Sequence, residues 1–523
     1  MTSNASLALY TSNEIRVIEQ THARKSPRVS LMLRAGNAVA KLALTLVKKK
    51  KSASILVLAG SGNNGGDAWV AAAALKRAGQ RVTVVALGDN KFADAASRNA
   101  HAAFVRAKGQ VVNELPKDED IDLIIDGVFG IGLARAPAGA FAAAIAGVNQ
   151  LHAARGIPVL AIDIPSGLSA DTGIALGTAI VATHTLTFLG FKPGLFTSDG
   201  KDHAGEVHLD MLGVMPVACN GALLLADSVR PLVPQRRNHS HKGTYGNVGI
   251  IGGAEGMVGA AVLAARAALY MGPGKVFLGI AAKETPPFDP LNPELMIRKA
   301  DELLADDSLT ALAIGTGLGI DKSAPRLLAA ALARRLPLVL DADALNLIAG
   351  TASFAGLLAS AGANPSTGAP SRAKMPETPR QAWSLVMTPH PGEAARLLNV
   401  TVAQVEQDRV TSALALARRF HAVVVLKGAG TIVAAADGRY FINTSGNPGM
   451  ASGGMGDALS GMLAAFLAQG MVALDAARLA VYLHGAAADA CMAHGMAPHG
   501  LTASEVIFEA RTLLNAGLEH PDH

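Results

Sequence analysis

SILVLAGSGNNGGD, running from Ser54 to Asp67, is the stretch that decides the fold. Ser54 to Ala59 is apolar and strand-length, Gly60 to Asp67 reads as a glycine loop, and Ala68 to Ala78 predicts a helix. A strand that is apolar on both faces belongs in a parallel sheet covered by helices on both sides. Working outward, the alternation repeats. Arg81 to Leu87 reads as a strand and Ala93 to Ala107 as a helix, and Asp122 to Val128, Pro158 to Ile164 and Ala182 to Leu189 read as further strands. The pattern relaxes near Ala218 to Leu224, and Asp227 to His241 is polar, basic and proline-bearing, so a domain boundary falls around residues 220 to 235.

Beyond it the alternation restarts. Asn247 to Ile251, Lys275 to Ile280, Ala311 to Ile314, Pro337 to Leu340, Leu385 to Thr388 and Ala422 to Leu426 read as strands, Ala260 to Tyr270 as a helix, and the chain from Met455 onward as mostly helical. The expectation is an α/β chain of two doubly wound domains, residues 1–222 and 223–523. Gly350 to Gln381 interrupts the second with a segment expected to be a structureless surface loop, an active-site flap being the alternative.

Of the 523 residues 50% are hydrophobic and 17% charged, which excludes general disorder. Against 41 acidic residues stand 46 Lys and Arg, a net charge of +5 that is too small and too scattered for a nucleic-acid partner. Lys48 to Lys51, the one dense basic run, reads as a solvated helix end. Two cysteines, Cys219 and Cys491, cannot staple a chain this long and leave no thiolate metal cluster, as in a reducing compartment. The N-terminal MTSNASLALYTSNEIRVIEQ lacks a signal-peptide pattern, and no run reaches about 18 apolar residues, so a cytoplasmic protein without a membrane partner is expected.

Gly60, Gly62 and Gly65 satisfy the G-x-G-x-x-G spacing, with Asp89 at the distance of a ribose-binding acid. Glycines at a strand–helix turn let backbone N–H groups approach an anion, and the helix N-terminus adds about half a positive charge. Asn63, Asn64, Gly65, Gly66 and Asp67 add two amides and a carboxylate, able to hold a ligand or offer oxygens to a hard cation. A glycine-rich turn with capping Asn and Asp is the plain structural alternative. Asp126 ends a second strand and Asp163 a third, with Ser166 three residues later. Ligand groups in open α/β sheets gather where strands end, so these acids are expected to converge on one crevice. Lys192 ends a fourth strand, either as an electrostatic partner or as a solvated lysine.

The blocks GSGNNGGD, DGVFGIGL, DIPSG and TFLGFKPG, in that order, resemble the NAD(P)H-hydrate epimerase domain over residues 10 to 215. The resemblance implies a Rossmann-like three-layer αβα fold that interconverts the R and S forms of nicotinamide cofactors hydrated at C6. It implies that Asn63 to Asp67 and Gly130, Ile131, Gly132, Leu133, Ala134, Arg135 and Ala136 contact the hydrate. It also implies that Asp163 binds the hydrate, while Asn64, Asp126 and Ser166 hold a potassium ion. Asp163 is the expected acid–base residue, since a carboxylate at an enclosed crevice suits proton transfer near neutral pH. Ala68 departs from the family's glycine, and its methyl group is expected to crowd the helix start.

In the second half NPGMASGGMGD, Asn447 to Asp457, precedes the Ala-rich helix ALSGMLAAFLAQG. Glycines with a helix N-terminus make a phosphate cradle, and a carboxylate at its mouth can take a hydroxyl proton as that oxygen attacks phosphorus. Asp457 as a first-turn capping acid is the alternative. Lys427, Gly428, Ala429, Gly430 and Thr431 follow a strand and offer a backbone turn and a cation to nucleotide phosphates. His390 in TPHPGE is held at the sheet's edge by prolines, and the acids of LDADALN orient Mg²⁺ through water or cap the next helix. The loops GGAEGMVGAA and GTGLG complete the rim.

HKGTYGNVGIIGG, GTGLG, LDADALN, TPHPGE, LKGAGT and GNPGMASGGMGDALSG resemble the NAD(P)H-hydrate dehydratase branch of the ribokinase-like superfamily, over residues 225 to 515. By position, Lys427 to Thr431 and Gly456 are implied to contact the adenine nucleotide, and Ala261, Gly317 or Gly319, His390 and Asp457 to face the hydrate. Bacterial members use ADP and release AMP and phosphate, with a metal ion such as Mg²⁺ neutralising charge on the phosphates. Hydroxide leaves poorly, so phosphorylating the C6 hydroxyl creates a leaving group that the ring nitrogen can expel. The implied whole is a bifunctional repair enzyme for hydrated NADH and NADPH, assembled as a homo-oligomer. An ATP-dependent small-molecule kinase with a ligand-sensing N-terminal domain is the rival reading.

Overall fold

The computed structural model describes residues 7–26, 30–88, 92, 95–116, 120–363 and 384–518. It divides into two units, Met1–Ala222 and Leu223–His523.

The first unit is built on a seven-stranded parallel sheet: β1 (Ser54–Ala59), β2 (Arg81–Ala86), β3 (Gln110–Val112), β4 (Leu123–Gly127), β5 (Val159–Ile162), β6 (His184–Phe188) and β7 (Glu206–Asp210). Its strand order, β3-β2-β1-β4-β5-β6-β7, reverses at β1. That reversal opens a crevice at the C-terminal ends of β1 and β4, because the connections leave these two strands toward opposite faces. Side chains alternate across the sheet: Ile55 and Val57 pack with Trp69 and Phe104 on one face, and Leu56 and Leu58 with Ile145 and Val148 on the other.

The loop after β1 is shorter than the sequence suggests. Helix α1 spans Asn63–Arg77, so Asn64, Gly65, Gly66 and Asp67 form its first turns. A Cβ on Gly65 would lie 1.8 Å from the Gly60 carbonyl oxygen, so glycine is what lets α1 sit against the strand end. The crowding expected at Ala68 is absent. Its methyl packs where a Cβ on Gly127 would come within 2.5 Å, and Gly127 leaves that space free.

The second unit repeats the scheme with β8 (Asn247–Gly252), β9 (Lys275–Ile280), β10 (Met296–Lys299), β11 (Ala311–Ile314), β12 (Leu338–Leu340), β13 (Leu385–Met387), β14 (Val423–Leu426), β15 (Ile432–Ala434) and β16 (Tyr440–Asn443). These run in the order β10-β9-β8-β11-β12-β13-β14-β15-β16, parallel through β14 and antiparallel for β15 and β16. Reversal again falls at the first strand, here between β8 and β11. The antiparallel end makes Lys427 to Thr431 a hairpin turn, with Leu426 opposite Ile432. Helix α2 (Val258–Tyr270) follows β8, and α3 (Met455–Ala468) lies against it. From Ala458 to Ala468 every residue of α3 is buried, which marks a core helix. A Cβ on Gly461 would fall 1.9 Å from the Ala264 carbonyl oxygen.

The insertion expected to be structureless begins as a helix, Ala352–Ala363, an apolar segment that contradicts that expectation for these residues. Its remainder to Gln381, like Asp89, lies outside the described residues. No helix among the described residues is long and apolar enough to cross a membrane.

Candidate active sites

In the first unit the end of β4 and the turn after β5 bring two predicted groups into contact. Asp126 is fully buried; its Oδ1 accepts from Ser166 Oγ at 2.6 Å and from Val128 N at 3.2 Å, and its Oδ2 accepts from Ser166 N at 2.7 Å. Asn64 Nδ2 donates to the Phe129 carbonyl at 3.0 Å, and Phe129 N donates to Ser166 Oγ at 2.8 Å. Asn64, Asp126 and Ser166 thus meet around residue 129, whose carbonyl the sequence did not single out. Burial pushes the Asp126 carboxyl up to about 6 against the opposing hydrogen bonds of Ser166 and Val128. A buried carboxylate among an amide, a hydroxyl and a carbonyl oxygen is a hard-donor set, suited to a cation such as K⁺.

Asp163 ends β5 in the left-handed region, φ 64°. Non-glycine residues hold that conformation only where the surroundings impose it. Its Oδ1 accepts from Lys192 Nζ at 2.5 Å, Thr187 Oγ1 at 3.1 Å and Phe188 N at 3.3 Å. Lys192 is fully buried and also donates to Thr187 Oγ1 and the Phe188 carbonyl, which decides for the electrostatic partner and against a solvated lysine. All three donors converge on one oxygen, and among the described residues no protein donor reaches Oδ2. Glu19, from the helix Ser12–Lys25, is held above the usual carboxylate range by burial and then by the charge of Asp163, which places it nearby. From the same helix Arg16 reaches the Ile131 carbonyl at 3.5 Å. Neither residue carried a sequence signal. Gly130 stands beside Asn64, where a Cβ would be 3.4 Å from Asn64 Cγ; Ile131 and Leu133 are partly buried, and Gly132, Ala134, Arg135 and Ala136 are exposed.

The second unit's site centres on Lys427. Its Nζ donates to Asp341 Oδ1 at 2.8 Å and lies 4.0 Å from Glu393 Oε2. Burial works against the charged lysine, but Asp341 and Glu393 outweigh it and raise its pKa. The other oxygen of Asp341 accepts from Ser460 Oγ at 2.6 Å. Burial pushes the Asp341 carboxyl up, yet Lys427 and these hydrogen bonds hold it below the ordinary range. It therefore clamps Lys427 to α3, and it does not cap the following helix through its side chain. Buried Arg409 donates to the Leu426 and Lys427 carbonyls and fixes the hairpin turn. Ser460, Glu393 and Arg409 were missed by the sequence reading. Ser460 left one trace, a lone hydroxyl in an otherwise apolar helix.

Gly456 sits over this pair: a Cβ there would lie 3.3 Å from Lys427 Nζ and 3.9 Å from Asp341 Oδ2. Asp457, next along α3, is partly buried. Burial first, then the negative charge of Asp341, raises its pKa to about 7 against the opposing pull of Lys427. His390 caps α4 (Pro391–Leu398), its Nδ1 accepting from Gly392 N at 2.9 Å. Nε2 then carries the proton, on an exposed ring whose pKa burial and Lys427 lower. At the β8–β11 reversal, Gly253 N and Ala254 N donate to the Thr316 and Gly317 carbonyls at 3.1 and 2.7 Å, joining the two rim loops. Gly319 N donates to Asp343 Oδ2 at 2.8 Å. Ala261 is fully buried with its methyl toward Gly253, beneath those loops. Gly428 and Ala429 are exposed, and Thr431 Oγ1 closes the turn onto the Gly428 carbonyl at 3.0 Å. Together a clamped lysine, a hairpin turn exposed at Gly428 and Ala429, the N-terminus of α3 and a carboxylate of raised pKa can bind phosphates and take a proton beside them.

Residues 28–194 match the family described as YjeF-related protein N-terminus, and residues 248–361 and 368–509 match NAD(P)H-hydrate dehydratase. The chain is 36% identical over 505 residues to the bifunctional NAD(P)H-hydrate repair enzyme Nnr of Escherichia coli, covering 94% of this chain and 91% of that protein. It is 35% identical to the enzyme of the same name from Coxiella burnetii, covering 97% and 99%. Among solved structures, an ADP/ATP-dependent NAD(P)H-hydrate dehydratase from Bacillus subtilis, co-crystallised with ATP and Mg²⁺, superposes with TM-score 0.47 at 29% identity, covering 57% of this chain and 100% of that one.

Proposed function

This chain belongs to the bifunctional NAD(P)H-hydrate repair enzymes, and from that premise we propose that its first unit epimerises hydrated NADH and NADPH while its second dehydrates the S form at the expense of ADP. The observation that carries the reading is Asp457, a carboxylate whose pKa burial raises to about 7 at the N-terminus of α3, beside the half-buried, clamped Lys427.

In the second unit Lys427 and the amides of Gly428 to Thr431 and Gly456 bind the nucleotide phosphates. Asp457 accepts the proton of the C6 hydroxyl as that oxygen attacks the β-phosphorus of ADP, and AMP departs. The ring nitrogen's lone pair then breaks the C6–O bond, phosphate leaves, and loss of a ring proton restores the dihydropyridine. His390 Nε2–H donates to the hydrate. Asp341 has both oxygens engaged and Asp343 one, so these acids fit a hydrated Mg²⁺ carried on the nucleotide, not a directly bound one. Such an ion would neutralise charge on the phosphates.

In the first unit, inverting C6, a hemiaminal carbon, requires its C–O or C–N bond to break and re-form, and by either route a proton is given and taken at the hydroxyl oxygen. Asp163 Oδ2 performs that transfer while Lys192 and Thr187 hold Oδ1. Asn64, Asp126, Ser166 and the Phe129 carbonyl would hold K⁺, whose charge would offset Asp126 and help orient an anionic ligand.

The test is to mix the chain with ADP and hydrated NADH. Return of the reduced-cofactor absorbance together with AMP supports the reading. A phosphorylated alcohol that accumulates without ring restoration would instead make the second unit a kinase.

A further inference from the structure

We propose that the first unit carries a binding site for a divalent transition-metal ion of the zinc class, formed by His184, Glu206 and His208. It lies away from the epimerase crevice. His184 is the first residue of β6 and Glu206 the first of β7, whereas the Asp163 partners Thr187 and Phe188 close β6 at its other end. Adjacent strand residues rise about 3.3 Å, so the two ends of β6 stand roughly 13 Å apart.

The sheet register builds the site. Parallel pairing sets His184 opposite Glu206 and Leu186 opposite His208. Side chains two apart on a strand share a face, so both imidazoles and the carboxylate emerge together at the sheet's edge strand. One ligand atom from each residue falls within 4.8 Å of the others. His184 Nε2 lies 3.9 Å from Glu206 Oε2 and His208 Nε2 lies 3.5 Å from Glu206 Oε1. The imidazole rings are stacked, with centroids 5.8 Å apart. Tetrahedral coordination at about 2.0–2.2 Å per bond needs ligand atoms some 3.4 Å apart, against separations within 4.8 Å here.

Thr183 Oγ1 anchors His184 Nδ1 at 2.9 Å; the same hydroxyl accepts from Val159 N at 3.0 Å and lies 2.9 Å from the Val159 carbonyl. With the hydroxyl proton on that carbonyl, the imidazole donates through Nδ1, and Nε2 turns its lone pair toward the Glu206 carboxylate, also an acceptor. Two acceptors facing each other call for a cation between them, and a partner that orients the distal ring nitrogen is the usual companion of a metal-bound histidine. A second observation is independent of that one: His208 Nε2 is itself buried and makes no hydrogen bond among the described residues, although it too faces Glu206. Two imidazoles and one carboxylate suit Zn²⁺ or its Irving–Williams neighbours and poorly suit Mg²⁺ or K⁺. Three protein ligands leave a fourth position for water, and the ion would join edge strand β7 to β6.

The experiment uses the full chain, stripped with chelator and then titrated with Co²⁺ and Zn²⁺ in potassium buffer. We expect one Co²⁺ per chain with the intense visible bands of tetrahedral coordination, displaced by Zn²⁺, and a rise in melting temperature on adding Zn²⁺. His208→Ala and Glu206→Gln should each weaken binding at least about tenfold while melting like the parent protein in chelator. Absence of tetrahedral bands, or bands that persist unchanged in a His184→Asn/His208→Asn double variant, would overturn the site. Epimerase turnover is expected to stay unchanged in His208→Ala, since the cluster takes no part in the crevice.

Discussion

At the scale of single residues, the two proposed chemistries rest on carboxylates whose surroundings differ. Asp163 has one oxygen gripped by three donors and, among the described residues, no donor to the other. Asp163→Asn should keep the fold and abolish exchange of the epimers, followed by NMR of the hydrate; undiminished exchange removes Asp163 from the mechanism. Lys192→Met leaves that carboxylate without its buried cation. Breaking such a pair from one side costs about 3–5 kcal/mol, and Asp163 retains slight solvent access, so a loss near the lower figure is expected in urea unfolding. A loss under about 1 kcal/mol would mean that the pair contributes little.

Asp457 is the opposite case: no hydrogen-bond donor reaches it among the described residues, and burial and Asp341 raise its pKa to about 7. A base must be ionised, so dehydratase kcat/KM should rise with pH through an acid limb near 7. The same raised pKa means that the fold favours the protonated acid, so this residue's contribution to stability is lost as pH climbs through 7. A rate that stays flat from pH 5 to 8 would contradict this assignment of the base.

At the scale of elements, close approaches of helix to strand or helix decide where glycine is required. Gly461 lies where α3 meets α2, and Gly350 ends a helix with no atom within 4 Å of an added Cβ. Alanine is the better helix former by about 1 kcal/mol, so Gly350→Ala should be neutral or slightly stabilising. Gly461→Ala meets the Ala264 carbonyl and should cost about 1–3 kcal/mol, since the clash exceeds the propensity gain. Thermal melts should fall for Gly461→Ala and stay level or rise for Gly350→Ala.

The elements also show what the sequence made legible. Strands apolar on both faces, such as Ser54–Ala59 and Val423–Leu426, announced themselves, because burial on both sides removes any alternation. The start of α1 at Asn63 did not. Asn-Asn-Gly-Gly has poor helix propensity, and only contact with Gly60 and the strand end holds it helical. The hairpin at Lys427 was hidden because β15 is three residues long, too short to betray its direction. Motif residues were visible in the chain, whereas their clamps were not. Asp341 and Lys427 stand 86 residues apart, and Ser460 lies 119 from Asp341, so only the fold reveals that they touch.

At the scale of the whole molecule, two sheets share one plan. Each reverses strand order at its first strand, and each places its polar loops at that reversal. One plan supports two chemistries because the loops differ: in the first unit an oxygen-rich pocket, in the second a lysine clamp and a phosphate cradle. The activities should therefore be separable. In a mixture of hydrate epimers, Asp163→Asn should consume the S form at the parental rate and then stop, once spontaneous epimerisation is subtracted. Complete conversion at the parental rate would show that the first unit is not needed for R-form recovery.

The central claim is that Asp457 serves as the base for phosphoryl transfer from ADP. The most direct measurement is single-turnover AMP release by Asp457→Ala with saturating ADP and the S hydrate, paired with calorimetric titration of ADP into the same variant. The account predicts ADP binding close to the parent's and no AMP above the uncatalysed background. AMP release at the parental rate, from a variant that binds ADP normally, would contradict it.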